Sequence, residues 1–263
     1  VVLDPRWAID AMFGGAIGVA IVDAAVVAAG ESGRVLSSLA ISFVRPAAPG
    51  PATVLATIVH SGRGSSVLAC SLVTDAGVAA TAIVTLVAPA LLALDEATAS
   101  EPVLPREPPR LSGALAAISH RVDWRATAAW GSGRLEAWIR PRERWPIVGG
   151  ALDPSWFVVA ADVLGPALAG AGIGSPFRVA TTVLDVQVLA RSASPWVRQT
   201  LRADSTGKAA VAALELHSPA GTRLAIATQR AILLPATVDE LPFAITGFGW
   251  GGPIPVSQEY RSV

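Results

Sequence analysis

Two almost wholly apolar stretches, each with one carboxylate and each followed by four strand-like runs, constrain this chain more than any other feature of its sequence. The first covers about residues 16–29 and holds Asp23; the second covers 155–164 and holds Asp162. A helix that is apolar on every side has no face for water, so the rest of the protein must surround it. Arg45 to Pro89 and Arg191 to Pro235 are equal in length, and both pass through the same series of apolar runs and turns to a closing Leu-x-x-Pro or Leu-Pro. Read in equal register, Gln229 falls on Ile83 and Thr182 on Leu36. One fold is therefore expected twice, and its polar site once.

The wrapping elements follow each helix directly. Val35 to Val44, Ala52 to His60, Ser66 to Thr74 and Val78 to Ala88 are β-branched or alternating runs, separated by Pro-Ala-Ala-Pro-Gly-Pro, Ser-Gly-Arg-Gly and Asp-Ala-Gly turn signals. In the second half, strands are expected at about Gly133 to Arg140, Val179 to Ala190, Trp196 to Asp204, Ala209 to His217 and Thr222 to Leu234. Asp153-Pro154 supplies a cap and a first-turn proline for the helix beginning at Ser155. The pattern predicts an α+β double hotdog: two repeats of a long buried helix wrapped by a curled antiparallel sheet. The expected divisions are an N-terminal repeat over 1–90, a Pro-rich linker over 91–111, a C-terminal repeat over 112–235 and a tail over 236–263. Phe243, Phe248 and Trp250 predict either a tail that docks by its aromatic side chains or a mobile end.

Composition removes several classes of function. With 52% hydrophobic and 15% charged residues, acids and bases in balance, the chain is globular with ample core and has no basic stripe for nucleic acid. The apolar stretch at Ala16 to Ala29 is shorter than the roughly 20 residues a bilayer requires and contains Asp23, so no membrane span is expected. Cys70 is the only cysteine, which rules out an intrachain disulfide, and the expected location is cytoplasmic. No metal-ligand cluster or nucleotide fingerprint stands out, and no cofactor is expected. Gly62-x-Gly64 reads as a hairpin turn, since no helix pattern follows it.

The run Ser42-Phe43-Val44-Arg45-Pro46-Ala47-Ala48-Pro49-Gly50, the helix-leading Gly14-Gly15, and Ala227-Thr228-Gln229 followed by Ala231 together resemble the acyl-CoA thioesterase II family. The resemblance covers nearly all of residues 10–235. It implies a double hotdog protein that hydrolyses acyl-CoA thioesters, and a homo-oligomer. It also implies a water held by an Asp on the second helix, a Thr at the start of the next strand and a Gln near the end of the last. Those motifs fall on Asp162, Thr182 and Gln229, with Thr181 the rival if the strand register slips by one. The family commonly has a His before the glycine pair; this chain has Phe13, which donates no hydrogen bond and adds apolar bulk.

The chemistry explains the residue types. Thioester hydrolysis needs a water aimed at the carbonyl carbon, an acceptor for its proton and donors for the oxygen that becomes negative. A carboxylate takes the proton, while Thr and Gln orient the water through hydroxyl and amide groups. Backbone N–H groups of Gly14 and Gly15, at a helix start beside Phe13, are the expected oxyanion donors. His60, His120 and His217 form no Asp-x-x-x-x-His pattern, which disfavours a hydratase.

The first expectation is thus a thioesterase acting on an acyl group carried by CoA or an acyl carrier protein. The alternatives are a non-hydrolytic acyl-binding protein and a tailoring enzyme, cyclase or dehydratase, acting on a biosynthetic acyl intermediate. Trp124, Trp130, Trp138, Trp145 and Trp156 cluster near the second helix, and core packing is the favoured reading of that cluster.

Overall fold

A computed structural model describes residues 1–8, 11–30, 33–95, 102, 110–113, 120–127, 133–164, 177–235 and 243–246. Helix α1 spans Gly14–Ala29 and stops at Gly30, whose left-handed φ of 67° lets its N–H reach back to the Val27 carbonyl at 3.1 Å. The second helix, α2, covers only Trp156–Ala161. Asp153 caps its entry by accepting the Ser155 N–H at 2.8 Å.

Ten strands form the main sheet: β1 Val35–Phe43, β2 Thr53–Ser61, β3 Ser65–Thr74, β4 Gly77–Val87, β5 Val122–Ala126, β6 Arg134–Pro141, β7 Phe177–Val188, β8 Val197–Thr206, β9 Ala209–His217 and β10 Arg223–Pro235. Their order is β2-β3-β4-β1-β7-β10-β9-β8-β6-β5, and every ladder is antiparallel. The two halves meet where Leu184 of β7 pairs with Ile41 of β1.

This arrangement corrects three expectations. A curled sheet around each helix is replaced by one continuous ladder, because β1 and β7 use their free edges on each other. The second helix is shorter than the apolar run predicted, ending at Ala161 with Asp162 as its C-cap. The first helix is not fully enclosed: Ile17, Ile21, Val22 and Ala25 are buried, whereas Val27 is 81% exposed. Every residue of α2, by contrast, is buried.

The helices approach closely because α1 presents glycines to α2. A Cβ on Gly15 would stand 2.8 Å from the Val159 Cα, and one on Gly18 would stand 2.5 Å from Val158 Cγ1. Trp124, Trp138 and Trp156 are buried and Trp145 is half-buried against the core, consistent with packing; Trp130 lies outside the described residues. Part of the stretch read as a linker is ladder, since Ala93–Asp95 pairs in parallel with Ala190–Ser192. Within the tail, Phe243–Thr246 pairs antiparallel with Arg110–Gly113. Phe248 and Trp250 lie outside the described residues. Among those residues no helix is long and apolar enough to cross a membrane.

Candidate active site

Asp162 leaves α2 with φ −89° and ψ 68°, which takes it out of the helix and lets its side chain meet the start of α1. Its Oδ2 accepts the Gly15 N–H at 2.9 Å. Its Oδ1 accepts a short hydrogen bond from Gln229 Nε2, and the Thr181 hydroxyl at 3.4 Å. Gln229 Nε2 also donates to Thr181 Oγ1 at 2.8 Å. On the other side of the amide, Gln229 Oε1 accepts the Leu164 N–H at 3.0 Å. A backbone N–H can only donate, so this contact fixes the amide oxygen and turns the NH2 group toward Asp162 and Thr181.

The cluster is nearly closed to water. Asp162 is 8% exposed and Gln229 2%. Burial pushes the Asp162 carboxyl up to about 6, and donors from Gly15, Gln229, Thr181 and Gly14 hold it back from rising further. The result is a carboxylate that is ionised at neutral pH yet still a usable base.

Of the two threonines, the structure brings Thr181 and not Thr182 to Asp162. Thr182 sits at a bulge, between the Thr181–Ala231 and Val183–Arg230 pairs, and its hydroxyl bonds the Arg230 carbonyl at 3.2 Å. Strict alternation from the buried Leu184 puts residue 182 inside; one extra residue in the strand reverses the phase and puts 181 there.

The strand pairings also correct the comparison between halves. In β1 the shift falls between Leu36–Leu86 and Ser38–Thr85, leaving Ser37 as the extra residue. Aligned on the two bulges, Leu36 stands where Thr181 stands and Val84 where Gln229 stands. Ile83, the partner chosen by equal length, points outward at 47% exposure. Both true counterparts are buried and apolar, so the first half lacks the polar trio with Leu36 and Val84, not Leu36 and Ile83, in its place. The buried positions Ala80, Ala82, Val84 and Leu86, set against Ala225, Ala227, Gln229 and Ala231, are the sequence signal that gives the correct phase.

Gly14 and Gly15, expected as oxyanion donors, lie directly against the Asp162 carboxylate. The Gly15 N–H, read as an oxyanion donor, is engaged by the Asp162 carboxylate. A Cβ on Gly14 would lie 2.7 Å from Asp162 Oδ2 and 2.9 Å from Phe43 Cζ, so this side of the carboxylate admits only glycine. Phe13 stacks on Trp7 with ring centroids 6.1 Å apart, and its Cε1 lies 2.7 Å from where a Gly15 Cβ would be. Phe43 and the Leu164 N–H are site groups that motif reading did not single out.

Asp23 lies apart from this cluster. It borders a cavity of about 200 Å³ that it shares with Trp7, Trp145, Ser155 and Arg144. Desolvation of the carboxyl, with the Asp153 charge adding to it, pushes Asp23 up to about 6 as well, although the residue as a whole is exposed to solvent. Elsewhere Arg34 bonds Ser66 and the Gly62 carbonyl, Arg191 bonds the Val148 carbonyl, and Arg63 is exposed. Among the described residues no group of His, Cys, Asp and Glu is placed to hold a metal.

Residues 3–87 match the family model of the acyl-CoA thioesterase N-terminal domain. Three solved structures share the fold. A protein with a hot dog fold from Alicyclobacillus acidocaldarius is 18% identical, with 89% of this chain and 92% of that chain covered and a TM-score of 0.69. A tesB protein of Mycobacterium avium subs paratuberculosis is 21% identical, with coverage of 85% and 88% and a TM-score of 0.64. The acyl-CoA thioesterase II TesB2 of Mycobacterium marinum is 16% identical, with coverage of 87% and 91% and a TM-score of 0.62. Identities this low establish the hot dog fold alone. No curated protein sequence matches the chain.

Proposed function

Taking the chain as acyl-CoA thioesterase II-like, with the acyl-CoA thioesterase N-terminal domain over residues 3–87, we propose that it hydrolyses an acyl thioester carried on CoA or an acyl carrier protein. The observation that carries this reading is the buried Asp162 carboxylate, held at the start of α1 and bonded to both Thr181 and Gln229. Asp162 takes the proton of a water fixed by the same trio, and the water oxygen bonds to the thioester carbonyl carbon. The tetrahedral intermediate collapses by breaking the carbon–sulfur bond, and the proton on Asp162 passes to the leaving thiolate. The amino end of the 16-residue α1 supplies positive potential where negative charge develops. In this reading the molecule is a double hotdog of two repeats, residues 1–90 and 112–235, whose first repeat contributes the α1 cradle and whose second contributes the side chains.

Thiol release from acyl-CoA and acyl-carrier-protein thioesters of graded chain length tests the proposal. The expected result is turnover well above the solvent rate for at least one chain; none above that rate overturns it. The pH profile of kcat/KM carries a second prediction. Activity should fall on the acid side with a midpoint near pH 6, where Asp162 gains its proton. Because Asp23 is also raised to about 6, the Asp23→Asn variant is the control, and it should keep the limb. A profile flat from pH 5 to 8, or a limb removed by Asp23→Asn, contradicts Asp162 as the base.

The threonines provide a third prediction. Thr181→Val removes a donor to Asp162 and should lower kcat roughly 10- to 100-fold, while Thr182→Val, at the bulge, should stay within about twofold of wild type. The reverse ranking would place the site on the other register. A non-hydrolytic acyl-binding role is the second reading, favoured by the Gly15 N–H being taken up by Asp162. Tight acyl-CoA binding without thiol release would select it.

A further inference from the structure

Among the described residues, the two-strand extension of the sheet, β5 and β6, has no counterpart beside β2, where the first half ends. It carries Trp124, which is buried, and Trp124 Nε1 donates to Gln199 Oε1 at 2.8 Å. Gln199, on β8, is 0% exposed. Its Nε2 donates to the Ala160 carbonyl at 2.5 Å, two residues before Asp162. A six-residue helix leaves its last carbonyls without intrahelical donors, and here they lie in a dry core where an unmet carbonyl is costly. Asp162 is thus bracketed by two glutamine-held backbone points, Ala160 on one side and Leu164 on the other.

Resting on the reading of Asp162 as the reactive carboxylate, we propose that Gln199 is a positioning residue for Asp162, and that the β5–β6 extension serves the site by fixing Gln199 through Trp124. Gln199 hydrogen-bonds to Trp124 and the Ala160 carbonyl, not to Asp162, Gly15, Thr181 or Gln229. It acts through the end of α2, which determines where the Asp162 side chain meets Gly15, Thr181 and Gln229. The extension is well anchored for this purpose. Beside Trp124, the buried Asp123 pairs with Arg125 at 3.1 Å and Arg140 at 3.3 Å. Arg140 in turn lies 4.5 Å from the ring centroid of Trp196.

Two variants test this. Gln199→Met keeps the volume but removes both hydrogen bonds, and Trp124→Phe keeps an aromatic ring but removes the donor that orients Gln199. If Asp162 is displaced by a fraction of an ångström, kcat should fall about 10- to 100-fold for Gln199→Met with KM nearly unchanged, since misplacement of this size costs up to about that factor. Trp124→Phe should move in the same direction by less. The Asp162 titration, followed by carboxyl-carbon NMR, should move to higher pH in both as the donors from Gly15 and Gln229 lengthen. That readout needs no turnover, so it decides the role of Gln199 even if the wild-type protein hydrolyses no thioester, a result that would sink the hydrolase reading instead. If Gln199→Met does not fold, Trp124→Phe carries the test. A lowered Tm with kcat within twofold and an unmoved Asp162 titration would make Gln199 purely structural and overturn the proposal.

Discussion

Asp162→Asn is expected to lower kcat by at least two orders of magnitude while gaining stability relative to wild type as pH rises. The rate effect follows from losing the proton acceptor, since a positioned general base contributes about 10²–10⁴-fold. The stability effect follows from linkage. The folded carboxyl is held near 6, above its ordinary value of 3.8, so below about pH 4 the acid is protonated in both states and costs nothing. As pH rises through about 6, the unfolded chain has already released its proton and the folded protein must carry a desolvated charge. A displacement of this size corresponds to at most about 3 kcal/mol lost from the wild type across that window. Asn carries no charge and escapes the loss. It presents one N–H group toward a neighbouring donor, because Gln229 is anchored by Leu164 and cannot turn; that penalty is independent of pH. Denaturant unfolding of both proteins at pH 4 and pH 7.5 isolates the linked part, and the contribution of Asp23 cancels in the comparison. Parallel stabilities across the range would show that Asp162 is not a buried, perturbed acid.

Gly15→Ala is expected to be among the most destabilising single methyl additions available to this protein. The new Cβ would lie 2.8 Å from the Val159 Cα and 3.2 Å from the Val158 carbonyl oxygen, both backbone atoms of a fully buried helix. Neither can rotate away, so the helices must separate, and overpacking of this kind costs typically ~1–3 kcal/mol or more. Separation also lengthens the Gly15–Asp162 hydrogen bond, so activity should fall with stability. Gly18→Ala is the comparison: its Cβ meets Val158 Cγ1 at 2.5 Å, a side-chain atom that can change rotamer. The expected order of unfolding midpoints in urea is wild type, then Gly18→Ala, then Gly15→Ala. A Gly15→Ala midpoint equal to wild type would mean that the helices slide freely, and the close approach would lose its significance.

Much of the sheet was legible before any coordinates. β9 begins and ends where the alternating run predicted, and β1 to β4 lie within a residue or two of their expected bounds. Alternation and turn chemistry are local, so they survive whatever the chain does elsewhere. β5 was missed, because its five residues are too few for a period to declare itself. The length of α2 was misread for a related cause: an apolar run reports burial, and α2 leaves the helix at Asp162 while the chain remains in the core.

The site divides along the same line. Asp162 could be picked out as the lone carboxylate of an apolar run, a pattern visible in sequence because buried polar groups need partners, whereas Gln229, between Thr228 and Arg230, was reached through the family resemblance. Which threonine joins them could not be read this way. A bulge is a property of two paired strands, and inserting Thr182 against β10 reverses the inward face of everything before it. The comparison of the two halves went astray for a separate reason: anchored on Arg45 and Arg191, it ran one residue out of step with the paired strands, matching Gln229 to the outward Ile83 instead of the inward Val84. The sequence by itself determined most of the strands, the first helix and the lone carboxylate Asp162, because these depend on neighbours along the chain. Tertiary structure alone decided which atoms meet Asp162. Strand phase at Thr181, the helix-start N–H of Gly15 and the Gln199 bond to Ala160 each arise from contacts between segments far apart in the chain, where a shift of one residue changes the partner.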